Sequence, residues 1–92
     1  MAKYGYLCFI RFTHEYLTSS AGAGAWREKP KELAEKHGFK MHFGGSPWGT
    51  DDHAVMICTS DKPLSDWGQF IGEWLQEGNV TGTRTVLVNI PD

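Results

Sequence analysis

The chain has 92 residues, which is enough for one domain and near the lower limit of what buries an adequate core alone. Nine Lys and Arg against eleven Asp and Glu give a formal charge of −2, and this balance argues against nucleic-acid binding. No apolar run approaches the roughly 20 residues of a membrane-spanning helix. Residues 1–4 enter a strand pattern without a signal-peptide core, so we expect a cytoplasmic protein without membrane or nucleic-acid partners.

Residues 4–13 (YGYLCFIRFT) are rich in aromatic and β-branched types and predict a first strand. Apolar residues occupy both alternating sets of positions, which is typical of a strand covered on both faces. Its Cys8, and Cys58 in a later strand, belong to no CxxC pair, and we interpret them as two buried free thiols.

A helix is predicted to follow, capped by Ser19 or Ser20 and running to about His37, with Gly38 as the C-terminal glycine. Pro30 interrupts this pattern because it removes a helical hydrogen bond. Either the helix kinks at Pro30, or residues 21–29 form a separate turn and the main helix starts there.

The second half of the chain predicts three more strands and one more helix. Residues 39–43 form a short strand, 44–52 a Gly-rich hairpin loop, and 53–59 a strand that is again apolar on both sides. Pro63 suits the first turn of a helix with apolar residues at helical spacing, Gly78 closes it, and residues 83–90 form the last strand.

The order β-α-β-β-α-β predicts a single α+β domain over residues 1–92, with a ferredoxin-like four-stranded antiparallel sheet and two helices on one face. The helices cover one face only, whereas the first and third strands are apolar on both. We therefore expect a homodimer that pairs the two uncovered sheet faces.

Several segments resemble the dimeric α+β barrel superfamily over nearly the whole chain. They are the turn LAEKHGF at 33–39, the Gly-rich hairpin before DHAVMI at 52–57, and TRTVL at 83–87. The hairpin is similar to that of the GYD branch, in which a Gly precedes a Tyr-Asp pair; here Asp51 stands at the Tyr position. The resemblance implies two sheets joined into one barrel. It also implies functions as varied as cofactor-free oxygenation, isomerisation and ligand-sensing regulation, so the fold constrains function weakly.

Three histidines are candidate acid–base groups because an imidazole titrates near neutrality. If Met41 and Phe43 face the helices, then His42 faces the barrel interior. His14 shares the alternation of Tyr6 and would lie at the end of the same interior. His53 follows two aspartates at the mouth of the hairpin, where Asp52 could fix its tautomer. A helix C-terminal position explains His37 without a functional role.

Further polar and aromatic residues are candidate ligand contacts. Arg11 and Arg84 interrupt apolar strands and either pair with carboxylates or bind an anionic ligand. Trp48 lies in a Gly/Pro loop and covers either a partner subunit or a pocket. The remaining predicted ligand-binding residues are Tyr6, Asp52, Thr85 and Asn89.

These residues lead to a hypothesis of a homodimer that binds a small organic molecule in a cavity between sheet and helices, with no cofactor. If it is catalytic, cofactor-free oxygenation or isomerisation at His14, His42 or His53 is the expected class. The alternatives are a non-catalytic ligand-sensing or assembly module and a His-based metal-binding protein. No HxH or HExxH spacing supports the metal alternative, and no metal ligands are assigned.

Overall fold

The computed structural model describes residues 2–19 and 25–91. Its elements in chain order are β1 (Tyr4–Phe12), α1 (His14–Thr18), α2 (Glu28–Lys36), β2 (Lys40–Gly45), β3 (Ala54–Ser60), α3 (Leu64–Leu75) and β4 (Val80–Asn89). The strands form one antiparallel sheet in the order β2-β3-β1-β4. The predicted α+β class and four-stranded antiparallel sheet are confirmed, and the described residues form three helices where two were expected.

The additional helix, α1, lies between the end of the predicted first strand and the predicted caps of the long helix, where the sequence predicted no regular structure. The hydroxyl of Thr13 accepts the backbone N–H of Tyr16 at 3.2 Å and so caps the N-terminus of α1. Ser19 is at the other end of α1, where its hydroxyl donates to the Tyr16 carbonyl at 2.8 Å. The prediction of Ser19 as an N-cap was therefore wrong, and the alternative cap Ser20 lies outside the described residues.

Helix α2 begins two residues before Pro30, which differs from both predicted alternatives. A proline is tolerated at this third helical position because the N–H that it lacks would have no partner within the helix. The predicted end of the helix is confirmed. Gly38 has a φ of +87°, and the N–H of Phe39 donates to the Ala34 carbonyl at 2.8 Å.

Helix α3 follows the sequence pattern closely. It starts at Leu64 directly after Pro63, and Gly78 follows its end with a φ of +80°. The middle of its apolar stripe, Trp67, Phe70, Ile71 and Trp74, is buried against the sheet. The ring of Trp67 stacks on that of Tyr6 at a centroid separation of 4.5 Å, and Phe39 meets Tyr6 edge-on at 5.3 Å.

Helices α2 and α3 pack against the same face of the sheet, and this is where the core lies. The buried core residues on the strands are Tyr6, Cys8, Ile10, Phe12, Ala54, Met56, Cys58 and Val80. Those from the helices and loops are Trp26, Leu33, Ala34, Phe39, Trp67, Phe70, Ile71 and Trp74. Both cysteines are free and buried, as predicted.

Candidate functional site

The other sheet face, which we call the open face, has an apolar centre. Residues directly opposite each other in antiparallel strands share a face, and the register aligns Phe43, Ile57, Leu7 and Val86 in one row. Phe9 and Val55 stand opposite each other in the neighbouring row. In the first row, Phe43 on the edge strand β2 is 58% exposed and Val86 on the edge strand β4 is 41% exposed, while Leu7 and Ile57 between them are half-buried, so the whole apolar row meets water.

The sequence argument for His42 was conditional on Met41 and Phe43 both facing the helices, and Phe43 does not meet that condition because it lies on the open face. The pairing of β2 with β3 shifts register between Met41 and Phe43, so that Met41 pairs with Cys58 and Phe43 with Ile57. This bulge at His42 lets Met41 pack against the core while Phe43 joins the opposite face.

One end of the open face carries a cluster of two arginines and one carboxylate. Asp52, in the loop before β3, accepts from Arg84 Nη2 on β4 at 3.2 Å. Its other oxygen lies 3.8 Å from Nε of Arg11 on β1, whose Nη2 also donates to the Asp51 carbonyl at 3.4 Å. The Asp52 side chain is only 12% exposed, whereas those of Arg11 and Arg84 are 53% and 59% exposed. The carboxylate is therefore shielded, and the guanidinium groups can be reached from solvent.

Asp52 is held as an anion by its neighbours. The hydroxyl of Thr50 donates to it and is the main cause that lowers the pKa of this carboxyl, followed by the hydrogen bond and charge of Arg84. The charge of Arg11 acts in the same direction, and partial burial opposes both. Asp52 thus remains ionised and positions the two arginines at neutral pH.

The arginine cluster borders a concavity of about 430 Å³ lined by residues of β1, β4 and the loop before β3. Its lining residues are Arg11, Thr50, Asp51, Asp52, Gly82, Thr83 and Arg84. The Arg84 guanidinium carbon lies 4.4 Å from the centroid of the Phe9 ring, a cation–π contact that joins the charged end to the apolar centre.

The opposite end of the open face carries His42. Its Nε2 lies 2.6 Å from Oγ1 of Thr59 on β3, and the imidazole is exposed. This contact places His42 on the face away from the helices, together with Phe43, whereas the sequence argument had placed His42 and Phe43 on opposite faces. Its partner is a neutral hydroxyl, which orients the ring.

His53 and His14 lie elsewhere. His53 Nδ1 accepts the backbone N–H of Phe12 at 2.9 Å, which requires a neutral tautomer with the proton on Nε2. His14 is the exposed first residue of α1. The structure thus gives the three candidate histidines three separate environments. Among the described residues, none of these three contacts a carboxylate, and the imidazole that does so is that of His37, whose Nε2 lies 2.6 Å from Oε2 of Glu73 in the helix layer.

Two predicted ligand residues lie on the helix side of the sheet. Tyr6 is fully buried, and its hydroxyl donates to the Lys62 carbonyl at 2.7 Å. Thr85 accepts the indole N–H of Trp67 at 2.9 Å. Both polar groups form hydrogen bonds with other residues of the core layer. They do so because the strand positions on the same side of the sheet as Tyr6 face the helices rather than a barrel interior.

The other two predicted ligand residues are exposed. Trp48, in the loop between β2 and β3, is 97% exposed. Asn89 ends β4 opposite Tyr4 and is also exposed. Within the described residues, neither side chain has a contact with the arginine cluster.

Sequence reasoning missed three residues that shape the open face: Phe9, Thr50 and Thr59. Phe9 had a usable signal, since it lies two positions before Arg11 and must share its face. Thr50 also had one, because a threonine two residues before an aspartate often bonds within a turn. Thr59 had none, since its contact with His42 depends on strand register.

Residues 2–19 and 25–91 contain no group of three or more His, Cys, Asp or Glu side chains placed to hold a metal ion. In the same part of the chain, every helix is too short or too polar to cross a membrane.

No protein-family model matches this chain, and no solved structure matches it significantly.

Proposed function

We propose that this protein is a homodimeric domain that binds a small organic molecule at its open face, with a second copy covering that face. The observation that carries the proposal is the row of Phe43, Ile57, Leu7 and Val86, an apolar centre between polar ends. A contiguous apolar patch of this kind marks an interaction site on a protein surface. The ferredoxin-like, dimeric α+β barrel arrangement is part of this proposal and is supported by the one-sided helix layer.

The size of the open face suits a dimer. Four strands spaced ~4.8 Å apart and a nine-residue β1 with a rise of ~3.3 Å per residue define a face of roughly 19 by 30 Å. Side chains standing on it bring the accessible area toward the roughly 800 Å² per partner that stable interfaces bury. In such a dimer, Trp48 packs against the partner chain.

The ligand site in this proposal lies on the open face rather than between sheet and helices. Aromatic rings fill the sheet–helix layer, and a concavity of only about 50 Å³ lies at its edge beside Phe12 and Trp26. The open face carries the 430 Å³ concavity, which falls within the roughly 300–1,000 Å³ typical of ligand sites.

The test is sedimentation velocity on three forms of the chain. Phe43→Lys places a charge in the apolar row of the open face, at its most exposed position, and we expect it to convert a dimer to a monomer. Leu64→Lys is the matched control, because Leu64 is 54% exposed but lies in the helix layer. A wild-type monomer at high concentration, or a Phe43→Lys dimer, would contradict the proposal.

If the domain is catalytic, His42 is the acid–base residue that we propose, since its imidazole lies on the open face. Cofactor-free oxygenation and isomerisation are the two reaction classes under this proposal. His42→Ala should abolish turnover of a substrate while the dimer persists, and retained turnover would remove His42 from the mechanism.

A second candidate function is ligand sensing without catalysis. It is favoured by the partners of the candidate histidines, because His42 contacts a hydroxyl and His53 a backbone N–H. Neither contact supplies the carboxylate that usually activates a histidine base. Ligand binding with no turnover by the wild-type protein would support this candidate.

A further inference from the structure

We propose that Arg11 and Arg84 bind the carboxylate of an organic monocarboxylic acid whose apolar body lies on the open face. The inference rests on the proposed function, because it specifies the ligand class of the same site. It can nevertheless fail separately, since the contacts that it adds are those of Arg11 and Arg84, which lie outside the row of Phe43, Ile57, Leu7 and Val86.

The charge of the cluster favours a monoanion. Two guanidinium groups share the single carboxylate of Asp52, so these three side chains carry a net charge of +1. The exposed carboxylate of Asp51 also lines the concavity and makes its lining formally neutral, so a ligand with one negative charge is favoured over a dianion. A phosphate dianion would lie close to the Asp52 oxygens, where like charges repel.

Hydrogen-bond donors remain available for such a ligand. Each guanidinium has five N–H groups. Asp52 and the Asp51 carbonyl engage Nε and Nη2 of Arg11, and Asp52 engages Nη2 of Arg84. The Nη1 groups of both arginines and Nε of Arg84 have no hydrogen bond to the described residues, and both side chains are more than half exposed. Free guanidinium edges of this kind suit a planar carboxylate.

The neighbourhood of Arg84 accommodates an apolar body. Its guanidinium lies over the Phe9 ring at 4.4 Å, which restrains the side chain against the sheet. Phe9 and Arg84 are opposite each other in the register, and the next row contains Leu7 and Val86. A ligand whose carboxylate meets the arginines can therefore place a ring or short alkyl chain directly on an apolar surface.

The experiment uses benzoate as the probe and benzamide as its neutral analogue, titrated into the full chain at pH 7 and low salt. Amide chemical shifts of Gly82 and Thr83, which line the concavity, report binding at this end of the open face. We expect benzoate to bind at least about tenfold more tightly than benzamide, because charge-assisted hydrogen bonds exceed neutral ones by that order.

Substitutions of single arginines test whether benzoate binds at the arginine cluster. Arg84→Gln should weaken benzoate binding about tenfold or more, and Arg84→Lys, which keeps the charge but loses the planar fork, should give an intermediate loss. Arg27→Gln is the matched control, because Arg27 is an exposed arginine outside the cluster whose Nη1 donates to the Gly44 carbonyl at 3.1 Å. Circular dichroism of each variant checks that it folds.

Three outcomes would overturn the inference. They are equal affinity for benzoate and benzamide, inorganic phosphate binding more tightly than benzoate, and an Arg27→Gln loss as large as that of Arg84→Gln. Sedimentation of the same samples separates this test from that of the proposed function. A dimer without benzoate preference overturns the carboxylate site alone, whereas a monomer that prefers benzoate supports that site and overturns the proposed dimer.

Discussion

At the scale of single residues, the two cysteines differ chemically from free thiols in water. Cys8 and Cys58 are fully buried, and burial raises the pKa of each thiol to about 12. Because the thiolate is the reactive species, we expect neither to react readily with a disulfide reagent at pH 8 in the folded protein, and both to react in guanidinium. Colorimetric titration of released thiolate measures this. Rapid labelling of one equivalent without denaturant would contradict the buried assignment.

Two carboxylates make the free energy of unfolding depend on pH in the acidic range. The hydrogen bond from His37, followed by that from Lys36, lowers the pKa of Glu73, and Thr50 followed by Arg84 lowers that of Asp52. A folded-state pKa below the unfolded value means that the stabilisation is present above the unfolded pKa, about 4 for these groups. It is lost as the pH falls through the lower folded value.

We therefore expect the free energy of unfolding to decrease as the pH falls below about 4. Glu73→Gln should make this decrease smaller, because it removes one of the two groups. Urea unfolding at pH 7 and pH 3 measures it, with Glu35→Gln, at an exposed position on α2, as the control. An unchanged pH dependence in Glu73→Gln would show that the contacts with His37 and Lys36 contribute no stability.

At the scale of elements, β2 packs closely against the buried Trp26 at Gly44, where a side chain would not fit. A Cβ atom at Gly44 would lie 2.7 Å from a carbon of the Trp26 indole and 3.0 Å from the Met41 methyl, whereas one at the adjacent Gly45 would meet nothing within 4 Å. Trp26 is buried and cannot move freely. Gly44→Ala should therefore cost about 1–3 kcal/mol, the usual range for overpacking a core.

Gly45→Ala provides a control of identical chemistry in the same strand. Both glycines have ordinary negative φ angles, so the difference between the two variants reports crowding rather than backbone strain. Denaturant unfolding of both variants measures the difference. Equal stabilities would mean that the Trp26 ring moves away from β2 at no cost.

At the scale of the whole molecule, the proposed dimer predicts thermal stability that depends on concentration. If folded chains associate and unfolded chains do not, mass action raises Tm with protein concentration. For two chains of 92 residues, each tenfold increase should raise Tm by about 4 °C. Scanning calorimetry should show this rise for the wild type and Leu64→Lys, and its loss in Phe43→Lys. A Tm independent of concentration in all three would exclude coupling of folding to association.

Much of the architecture could be predicted because its signals are local. Apolar spacing identified α3, Pro63 its start, and Gly38 and Gly78 the ends of the two longer helices, since each depends on a few neighbouring residues. The α+β class and the free, buried cysteines also followed from such patterns. The short helix α1 was missed because its cap, Thr13, was assigned to the preceding strand.

The sequence by itself determined which residues are apolar, which positions alternate and where the chain turns, because these depend on side-chain chemistry and spacing along the chain. Only the tertiary structure decided which face of each strand meets the helices, since a one-residue bulge at His42 reverses Phe43. It also brought together Arg11, Asp52 and Arg84 from three distant segments. Contacts of this kind depend on strand register. Register is fixed by the packing of the whole sheet rather than by any local run of residues.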